Sequence, residues 1–417
     1  MEKIVLDRLI VNNNVVEYYY SVSDGLKKYF RSEKMFLEYE EDVSEVPHSI
    51  LAIPFVNCMS GLSWLSDSVI FVDEIDATFY EANKSLKAAY NELHSYVGLK
   101  GMLVPSRIVE NELPRSQDGI LLFGGGVDCH TSFLRNKGKI SYILNIYGRL
   151  KDIADYSLVD ASDKRQTQEY ADRMGVGAMH VRSNFVSQFN TKNIDAVLCK
   201  QVHTSYWYGF LHSMAFLAIA APLAWNHNIS DLYIASSFTK GKTGIRCASY
   251  ITTDSEFRFA SKGRTIHDGF ELSRQDKVAY LVDYQRQSKT PYPLQACSFN
   301  DHNCCECEKC FRTIVELVAE NADPKDFGFN IEGSLRDHWK RIVDREVALW
   351  GPHKESYYYG LSAARMRENY DIIEDKQFVD WFLSCDFNKL KANKKWEYYR
   401  INLLSILKRK FKDKQND

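Results

Sequence analysis

Strand-like and helix-like segments alternate between residues 120 and 320, and this alternation constrains the fold more than any other feature of the sequence. The predicted strands are 120–123, 142–146, 178–181 and 232–235, and the predicted helices are 164–174 and 210–225. Such alternation indicates βαβ units, so we predict an α/β fold with a parallel sheet and helices on both faces. Ligands of such sheets bind at the carboxyl ends of the strands.

Changes in the pattern of apolar and polar residues divide the 417-residue chain into three predicted domains. Residues 1–117 mix short apolar runs with a helix-like stretch at 77–96, which is typical of a small α+β domain. The polar segment 114–119 breaks this pattern just before the first alternating strand and is the best linker candidate. Residues 118–320 form the predicted central domain, and 321–417 form a helical C-terminal extension.

Charge is unevenly distributed along the chain. The formal net charge of −2 gives no bulk reason to bind nucleic acid. Residues 388–417 contribute +7, which leaves −9 for the rest. This basic tail is typical either of a solvated helix or of an amphipathic segment that touches a membrane surface or an acidic partner. Asp73, Glu74 and Asp76 precede the helix-like stretch, and we interpret them as its capping charges.

The N-terminal segment predicts a cytoplasmic protein. It carries the acidic residues Glu2 and Asp7 and lacks the basic start, long apolar stretch and cleavage site of a secretory signal. The most apolar run, 210–225, has sixteen residues and contains Pro222, whereas a membrane-spanning helix needs about 20 residues. We therefore predict a buried helix there.

A glycine-rich turn follows the first alternating strand. Its glycine and polar residues are Gly124, Gly125, Gly126, Asp128, Thr131 and Ser132. Glycines let backbone N–H groups approach an anion, and the N-terminus of the following helix adds unpaired donors and partial positive charge. A structural turn with Asp128 as its cap is the alternative. The segment matches neither the Walker pattern nor the dinucleotide-binding fingerprint.

Five of the ten cysteines lie within fourteen residues, and four of them have the spacing C-x6-C-x2-C-x2-C. Tetrahedral zinc requires four soft ligands, and tight spacings supply them from one short segment. The predicted ligands are Cys297, Cys304, Cys307 and Cys310, with Cys305 and His302 as substitutes. Unrelated buried or redox cysteines and an iron–sulfur cluster are the alternatives to zinc.

The glycine turn resembles the SGGxDS pyrophosphate loop of the N-type ATP pyrophosphatases, the PP-loop superfamily that includes QueC-like (7-cyano-7-deazaguanine synthase-like) proteins. Gly124 stands in place of the first serine of that motif, and Cys129 in place of the last. The cysteine segment is similar to the zinc site of the QueC-like domain. The resemblance covers about residues 1–325 and is to a long form with an extra N-terminal domain, found in polysaccharide or antiviral defence gene clusters.

The resemblance implies an ATP-dependent, adenylate-forming enzyme with a structural zinc ion. A substrate carboxylate, 7-carboxy-7-deazaguanine or a related acid, would attack the α-phosphate of ATP. The glycine turn would hold pyrophosphate and Mg²⁺, and an amine or ammonia would displace AMP to give an amide or a nitrile. The extra N-terminal domain favours a changed substrate or a partner protein, and a homodimer is also compatible with the resemblance.

The resemblance also assigns roles to individual residues. The predicted nucleotide-binding residues are Gly124, Gly125, Gly126, Val127, Asp128, Cys129, Thr131 and Ser132, and the predicted catalytic residues are Asp128, Arg182 and Lys277. Arg182, Lys277 and Arg274 lie in segments similar to the family and could neutralise a carboxylate or triphosphate, or serve only as surface charges and caps. His180 and His267 are either acid–base groups or structural histidines.

Three alternatives to a fully active enzyme stay open. The altered motif residues Gly124 and Cys129 favour a catalytically impaired subunit that binds a nucleotide or modified base without turnover. A zinc-stabilised scaffold for a defence complex is a second alternative. Thiolate catalysis by Cys129 is a third.

Overall fold

The computed structural model describes residues 1–148, 156–297, 300–347 and 352–393. The chain divides into two compact units, Met1–Ser273 and Arg274–Asp417. The basic tail beyond residue 393 lies outside the described residues, so its contacts with a membrane or an acidic partner stay predictions.

The first unit is a mixed α/β structure. Its strands are β1 (Glu2–Asn12), β2 (Val15–Val22), β3 (Lys34–Glu38), β4 (Ser68–Asp76), β5 (Met102–Val109), β6 (Gly119–Leu122), β7 (Ile140–Tyr147), β8 (Gly177–Ser183), β9 (Asp231–Ala235), β10 (Arg258–Phe259) and β11 (Gly263–Asp268). Its helices are α1 (His48–Ser66), α2 (Ala77–Leu93), α3 (Val127–Arg135), α4 (Tyr156–Met174), α5 (Thr191–Val197), α6 (His212–Asn226) and α7 (Ile251–Asp254). The four alternating strands predicted from the sequence are β6, β7, β8 and β9, so this part of the fold prediction is confirmed.

All eleven strands form one large, mostly parallel sheet. Their spatial order is β10-β11-β9-β6-β7-β8-β3-β2-β1-β4-β5. Strands β11, β9, β6, β7 and β8 are mutually parallel neighbours, and we call these five strands the parallel block. Numbered along the chain, the strands of this block have the order 3-2-1-4-5, which is a doubly wound arrangement.

The central strands of the parallel block are buried on both faces. Consecutive residues point to opposite faces of a strand, yet Ile120 and Leu121 of β6 are both fully buried, as are Ile143 and Leu144 of β7. Strands covered on both faces are expected to be continuously apolar rather than alternating. This burial explains why the short apolar runs of the sequence identify these strands.

The N-terminal region extends the same sheet. Strand β3 lies antiparallel to β8, with Glu38 opposite Arg182, and β2, β1, β4 and β5 follow outward. The predicted boundary near residue 118 therefore lies between strands of one continuous sheet, and the division into three domains stays a prediction.

Two helical segments of the first unit are long and apolar enough to cross a membrane by length and composition. They are His48–Ser66 and Trp207–Asn226, and the second includes a π-helical turn that extends α6 beyond the sixteen residues recognised in the sequence. Burial inside the protein covers 94% and 78% of their apolar windows. The prediction of a buried helix at 210–225 is confirmed, because most residues of this helix are buried inside the protein.

The second unit is helical in its described part. Its helices are α8 (Arg274–Ser288), α9 (Glu308–Ala319), α10 (Leu335–Glu346), α11 (Pro352–Glu368), α12 (Lys376–Ser384) and α13 (Phe387–Asn393). Phe311 of α9 lies at the centre of an aromatic core, with its ring centroid 4.8 Å from that of Trp339 and 5.6 Å from that of Tyr359. Helices α10 to α13 lie within residues 321–417, where the sequence predicts a helical extension.

Asp76 joins three segments of the first unit. Its Oδ1 accepts hydrogen bonds from the backbone N–H groups of Phe79 (2.7 Å), which caps α2, and of Ala260 (2.9 Å). Its Oδ2 accepts from Asn111 Nδ2 at 3.0 Å. Burial raises the pKa of the Asp76 carboxyl above its usual value, although these three donors oppose the shift. The predicted capping role is confirmed for Asp76 and wrong for Asp73 and Glu74, which lie within β4.

We predict that Asp76→Ala lowers the free energy of unfolding by about 3 kcal/mol. The estimate combines about 1 kcal/mol for a lost N-cap with the larger cost of leaving buried donors unpaired. Urea denaturation measures the change, with the exposed Asp73→Ala in the same strand as control. Equal unfolding free energies for the two variants would contradict the role given to Asp76.

Candidate functional site

The strand order reverses between β6 and β9 in the parallel block. Strands β7 and β8 lie on one side of β6, whereas β9 and β11 lie on the other. In doubly wound sheets the loops that leave the two central strands diverge at this point and open a crevice at the carboxyl ends. The predicted glycine turn follows β6 and therefore lies at this crevice.

The backbone of the turn favours contact with an anion. Gly125 has a φ of 71°, which favours glycine, and Gly126 is the N-cap of α3 with no side chain that caps the helix. A Cβ atom at Gly124 or Gly126 would meet no other atom within 4 Å, so the space beside the turn is open. The N-cap residue of α3 thus supplies no side-chain acceptor to the N–H groups of the first turn, a place where a helix can bind an anion.

Cys129 is buried beside this turn. Its Sγ donates a hydrogen bond to the carbonyl oxygen of Gly126 at 3.1 Å. Burial raises the pKa of the Cys129 thiol to about 12, although backbone N–H groups of the turn oppose the shift. A neutral thiol is a poor nucleophile, so the geometry disfavours the thiolate alternative.

His130 packs α3 against its neighbours. Its ring centroid lies 4.9 Å from that of Phe123 and 4.4 Å from that of Tyr170. Burial lowers the pKa of the His130 imidazole to about 3, so the ring is neutral at physiological pH. This histidine therefore has a packing role beside the turn.

The remaining residues of the predicted nucleotide set occupy α3. Asp128 is half-buried in the first turn of α3, and Val127 and Thr131 are buried. Ser132 Oγ donates to Asp268 Oδ2 at 2.7 Å, so this hydroxyl already has an acceptor inside the protein. The structure brings all eight predicted residues together in one turn and one short helix.

Two residues that the sequence analysis did not identify support the crevice. Asp268 ends β11, where it accepts from Ser132 and lies 3.4 Å from Nε of Arg135. Asn145 of β7 donates to the carbonyl oxygen of Phe123 at 3.2 Å, at the start of the turn. Asp268 ends a strand of mixed polarity directly before Gly269, so no run of apolar residues marked its position in the sequence.

Arg182 and His180 lie on β8 and contact the N-terminal region. Arg182 Nε donates to Glu38 Oε2 at 2.7 Å, and its guanidinium lies 5.3 Å from the ring centroid of Phe36. His180 Nδ1 lies 2.8 Å from Glu40 Oε2 and has a structural hydrogen-bonding role. These partners on and after β3 are separate from the glycine turn.

His267 and Ser236 are engaged in internal hydrogen bonds of the first unit. His267 Nδ1 lies 2.8 Å from Asp254 Oδ2, and both side chains are almost fully buried. Ser236 Oγ donates to the carbonyl oxygen of Phe238 at 2.6 Å. These contacts agree with the structural interpretation of His267.

Two predicted cationic residues lie on α8 in the second unit. Lys277 is buried, with 2% of its surface exposed. Arg274 Nε donates to Glu316 Oε2 at 3.1 Å, and Glu316 is also buried. Arg274 is therefore part of a buried ion pair of this unit.

The four predicted zinc ligands converge in the second unit. The sulfur atoms of Cys297, Cys304, Cys307 and Cys310 all lie within 4.8 Å of one another. The Sγ–Sγ distances are 3.6 Å for Cys297–Cys304, 3.9 Å for Cys304–Cys310 and 3.6 Å for Cys307–Cys310. Sulfurs about 2.3 Å from a tetrahedral zinc ion are separated by about 3.8 Å, so the cluster fits zinc.

The electrostatics of the cluster also favour a cation. Sulfur neighbours raise the pKa of the Cys310 thiol far above its usual value, because a thiolate there would lie beside other sulfur atoms. Four adjacent thiolates would repel one another strongly without a positive ion at the centre. All ten cysteines lie in the described residues and none of them forms a disulfide, which keeps these four available as ligands.

Hydrogen bonds within and beside the cysteine segment fix the positions of the cluster residues. Asn303 Oδ1 accepts from the N–H groups of Ala296 (2.9 Å) and Cys297 (3.2 Å), and its Nδ2 donates to the carbonyl oxygen of Leu294 at 2.8 Å. Cys304 Sγ accepts from the N–H of Glu306 at 3.4 Å. Such hydrogen bonds orient metal ligands.

The two substitute ligands are outside the cluster. Cys305 Sγ contacts the carbonyl oxygen of Asn303 at 3.5 Å, and burial raises the pKa of its thiol to about 11. His302 is exposed and lies 2.6 Å from Asp301, measured from Nδ1 to Oδ1. The spacing therefore predicted the four cysteines whose sulfur atoms lie together.

A scan against protein-family models finds no match to the chain, and a search of curated proteins finds no relative. The family resemblance accordingly rests on the glycine turn and the cysteine segment.

We predict that the purified protein contains about one zinc ion per chain. Cys304→Ala removes one of four ligands and is expected to lose most of the metal, whereas the adjacent Cys305→Ala keeps it. Elemental analysis of both variants after dialysis measures the zinc content. Full zinc occupancy in Cys304→Ala would contradict the assignment.

We predict that His130 makes the first unit less stable in acid. The unfolded chain binds a proton at this residue below its ordinary pKa of 6.5, whereas the folded protein does not until about 3. The contribution of the neutral His130 ring to the free energy of unfolding is therefore fully present above pH 6.5. About 2 kcal/mol of this free energy is lost between pH 7 and pH 5. Denaturant unfolding at these pH values should show a weaker pH dependence for His130→Gln than for the wild type, and identical slopes would refute the prediction.

Proposed function

We propose that the protein is an ATP-dependent, adenylate-forming enzyme of QueC type with the PP-loop fold. The observation that supports this most is the position of the glycine turn, which enters α3 without a side-chain cap at the crevice between β6 and β9. Backbone donors at a helix N-terminus suit the pyrophosphate part of a nucleotide. The substrate acid would be 7-carboxy-7-deazaguanine or a related carboxylate.

The proposed chemistry depends on positioning and charge. The N–H groups of Gly125, Gly126 and the first turn of α3 would hold the β- and γ-phosphates, which leaves the α-phosphate open to the carboxylate. Asp128 would bind Mg²⁺, which would supply charge neutralisation at the leaving pyrophosphate. Arg182 would reach substrate only if its pair with Glu38 opened. Lys277 remains a second proposed catalytic residue.

The other components of the proposal follow from the resemblance. Zinc bound by the four cysteines would have a structural role in the second unit, because all four ligand positions are filled by protein. The proposed location is the cytoplasm, where thiols stay reduced. An amine-bearing partner protein from an antiviral defence system is the proposed acceptor in place of ammonia, and the enzyme could act as a homodimer.

Release of pyrophosphate from ATP tests the proposal directly. With Mg²⁺ and 7-carboxy-7-deazaguanine or a related acid, we expect acid-dependent release of pyrophosphate and AMP. Asp128→Asn should lower the rate by about 100-fold, because a carboxylate ligand of Mg²⁺ is lost and the positive charge of the ion beside the phosphates is held less well. Asp118→Asn, which lies before the opposite end of β6, is the control and should keep the rate. Absence of acid-dependent release with every deazapurine acid would reject the substrate class.

A catalytically impaired nucleotide-binding subunit is the second candidate function. The contact that favours it is the hydrogen bond from Cys129 to Gly126, because a buried neutral thiol occupies the position of a motif serine. Gly124 offers no hydroxyl in place of the other serine. A double variant, Gly124→Ser with Cys129→Ser, separates the two functions. A large gain in pyrophosphate release would identify an impaired natural turn, whereas an unchanged or lower rate would favour the active enzyme.

A further inference from the structure

A second glycine-containing loop follows β9, and we call residues 238–246 the lysine loop. Strands β6 and β9 are hydrogen-bonded parallel neighbours, so their carboxyl ends lie at the same edge of the sheet. Neighbouring strands are about 4.8 Å apart. The lysine loop and the glycine turn therefore leave adjacent strand ends on the two sides of the crevice.

The charge of the lysine loop is uniformly positive. It contains Lys240, Lys242 and Arg246, and no acidic residue occurs between residues 236 and 253. The chain as a whole has a net charge of −2, so this concentration is local. A cationic segment beside backbone donors provides the charge that a polyphosphate requires.

The base of the lysine loop is fixed, whereas its tip is open. The N–H of Ser236 donates to the carbonyl oxygen of Asp268 at 2.8 Å, and that of Lys240 donates to the carbonyl oxygen of Phe270 at 2.8 Å. At the tip, Gly241 and Gly244 have φ values of 87° and 70°, and a Cβ at either would meet no atom within 4 Å. The tip therefore has room to close over a ligand from an anchored base.

Lys240 is the exposed cation of the lysine loop, whereas Lys242 and Arg246 are half-buried. Three arginines of this unit already contact other residues of the protein. The guanidinium of Arg246 lies 5.4 Å from the ring centroid of Tyr96. Arg135 pairs with Asp268 and Glu271, and Arg182 pairs with Glu38. Lys240 is exposed, and within the described residues its side chain makes no ion pair. A bound phosphate would give it a partner.

We propose that the lysine loop covers the polyphosphate at the glycine turn and that Lys240 binds its β- and γ-phosphate oxygens. This inference rests on the proposed function and adds a binding residue to it. The ammonium group would replace interactions that the missing serine hydroxyls at positions 124 and 129 would have made. Positive charge at the leaving pyrophosphate becomes more favourable as the bond to the α-phosphate breaks.

Titration calorimetry with inorganic pyrophosphate and Mg²⁺ tests the assignment. Lys240→Ala should weaken binding about 10-fold or more, because a charge-assisted hydrogen bond is lost. Lys240→Arg should stay within about threefold of the wild type, because the charge remains. Lys262→Ala is the matched control, since Lys262 is an exposed lysine before the amino end of β11, at the opposite edge of the sheet.

The outcomes separate the inference from the proposed function. If the wild type binds pyrophosphate and Lys240→Ala binds equally well, the role of Lys240 is refuted and the proposed function stands. Equal weakening by Lys240→Ala and Lys262→Ala also refutes it, because bulk charge would then explain the effect. If the wild type binds neither pyrophosphate nor ATP, the proposed function and this inference both fail.

Discussion

The pairing of β6 with β7 on one side and β9 on the other is the constraint on which the candidate site depends. Strands β7 and β8 of the parallel block lie on one side of β6, and β9 and β11 lie on the other. The chain must therefore leave the two central strands in different directions, which opens the crevice. Gly125 and Gly126 then allow the chain to enter α3 at this place, with an N-cap residue that has no side chain to cap the helix.

The pairing of β3 with β8 determines the side-chain partners of Arg182 and Asn184. Asn184 continues this junction, because its Oδ1 accepts from the N–H of Phe36 at 2.8 Å and its Nδ2 donates to the carbonyl oxygen of Lys34 at 2.9 Å. Glu38 consequently lies opposite Arg182 and pairs with it. The N-terminal region thus restrains a candidate substrate-binding arginine as well as enlarging the sheet.

Local pattern predicted four of the five strands of the parallel block and the cysteine cluster, but not β11 or the long-range pairs. Strands buried on both faces appear as apolar runs, although a run alone does not distinguish strand from helix: 50–56 lies in α1, whereas 68–72 lies in β4. The half-exposed strands β1 to β3 gave no such signal. Partners such as Glu38 for Arg182 depend on tertiary folding, which spacing along the chain does not report.

The protonation state of each cysteine, and its ability to bind a metal, depend on the groups that surround its sulfur atom. Cys129 is buried alone against a backbone carbonyl, and desolvation keeps its thiol neutral. The cluster residues lie beside three other sulfurs, where loss of their protons becomes favourable once a cation binds. Cys305 is adjacent to a cluster ligand in sequence, yet its sulfur points to Asn303. A difference of one position along the chain therefore separates a candidate metal ligand from a thiol outside the cluster.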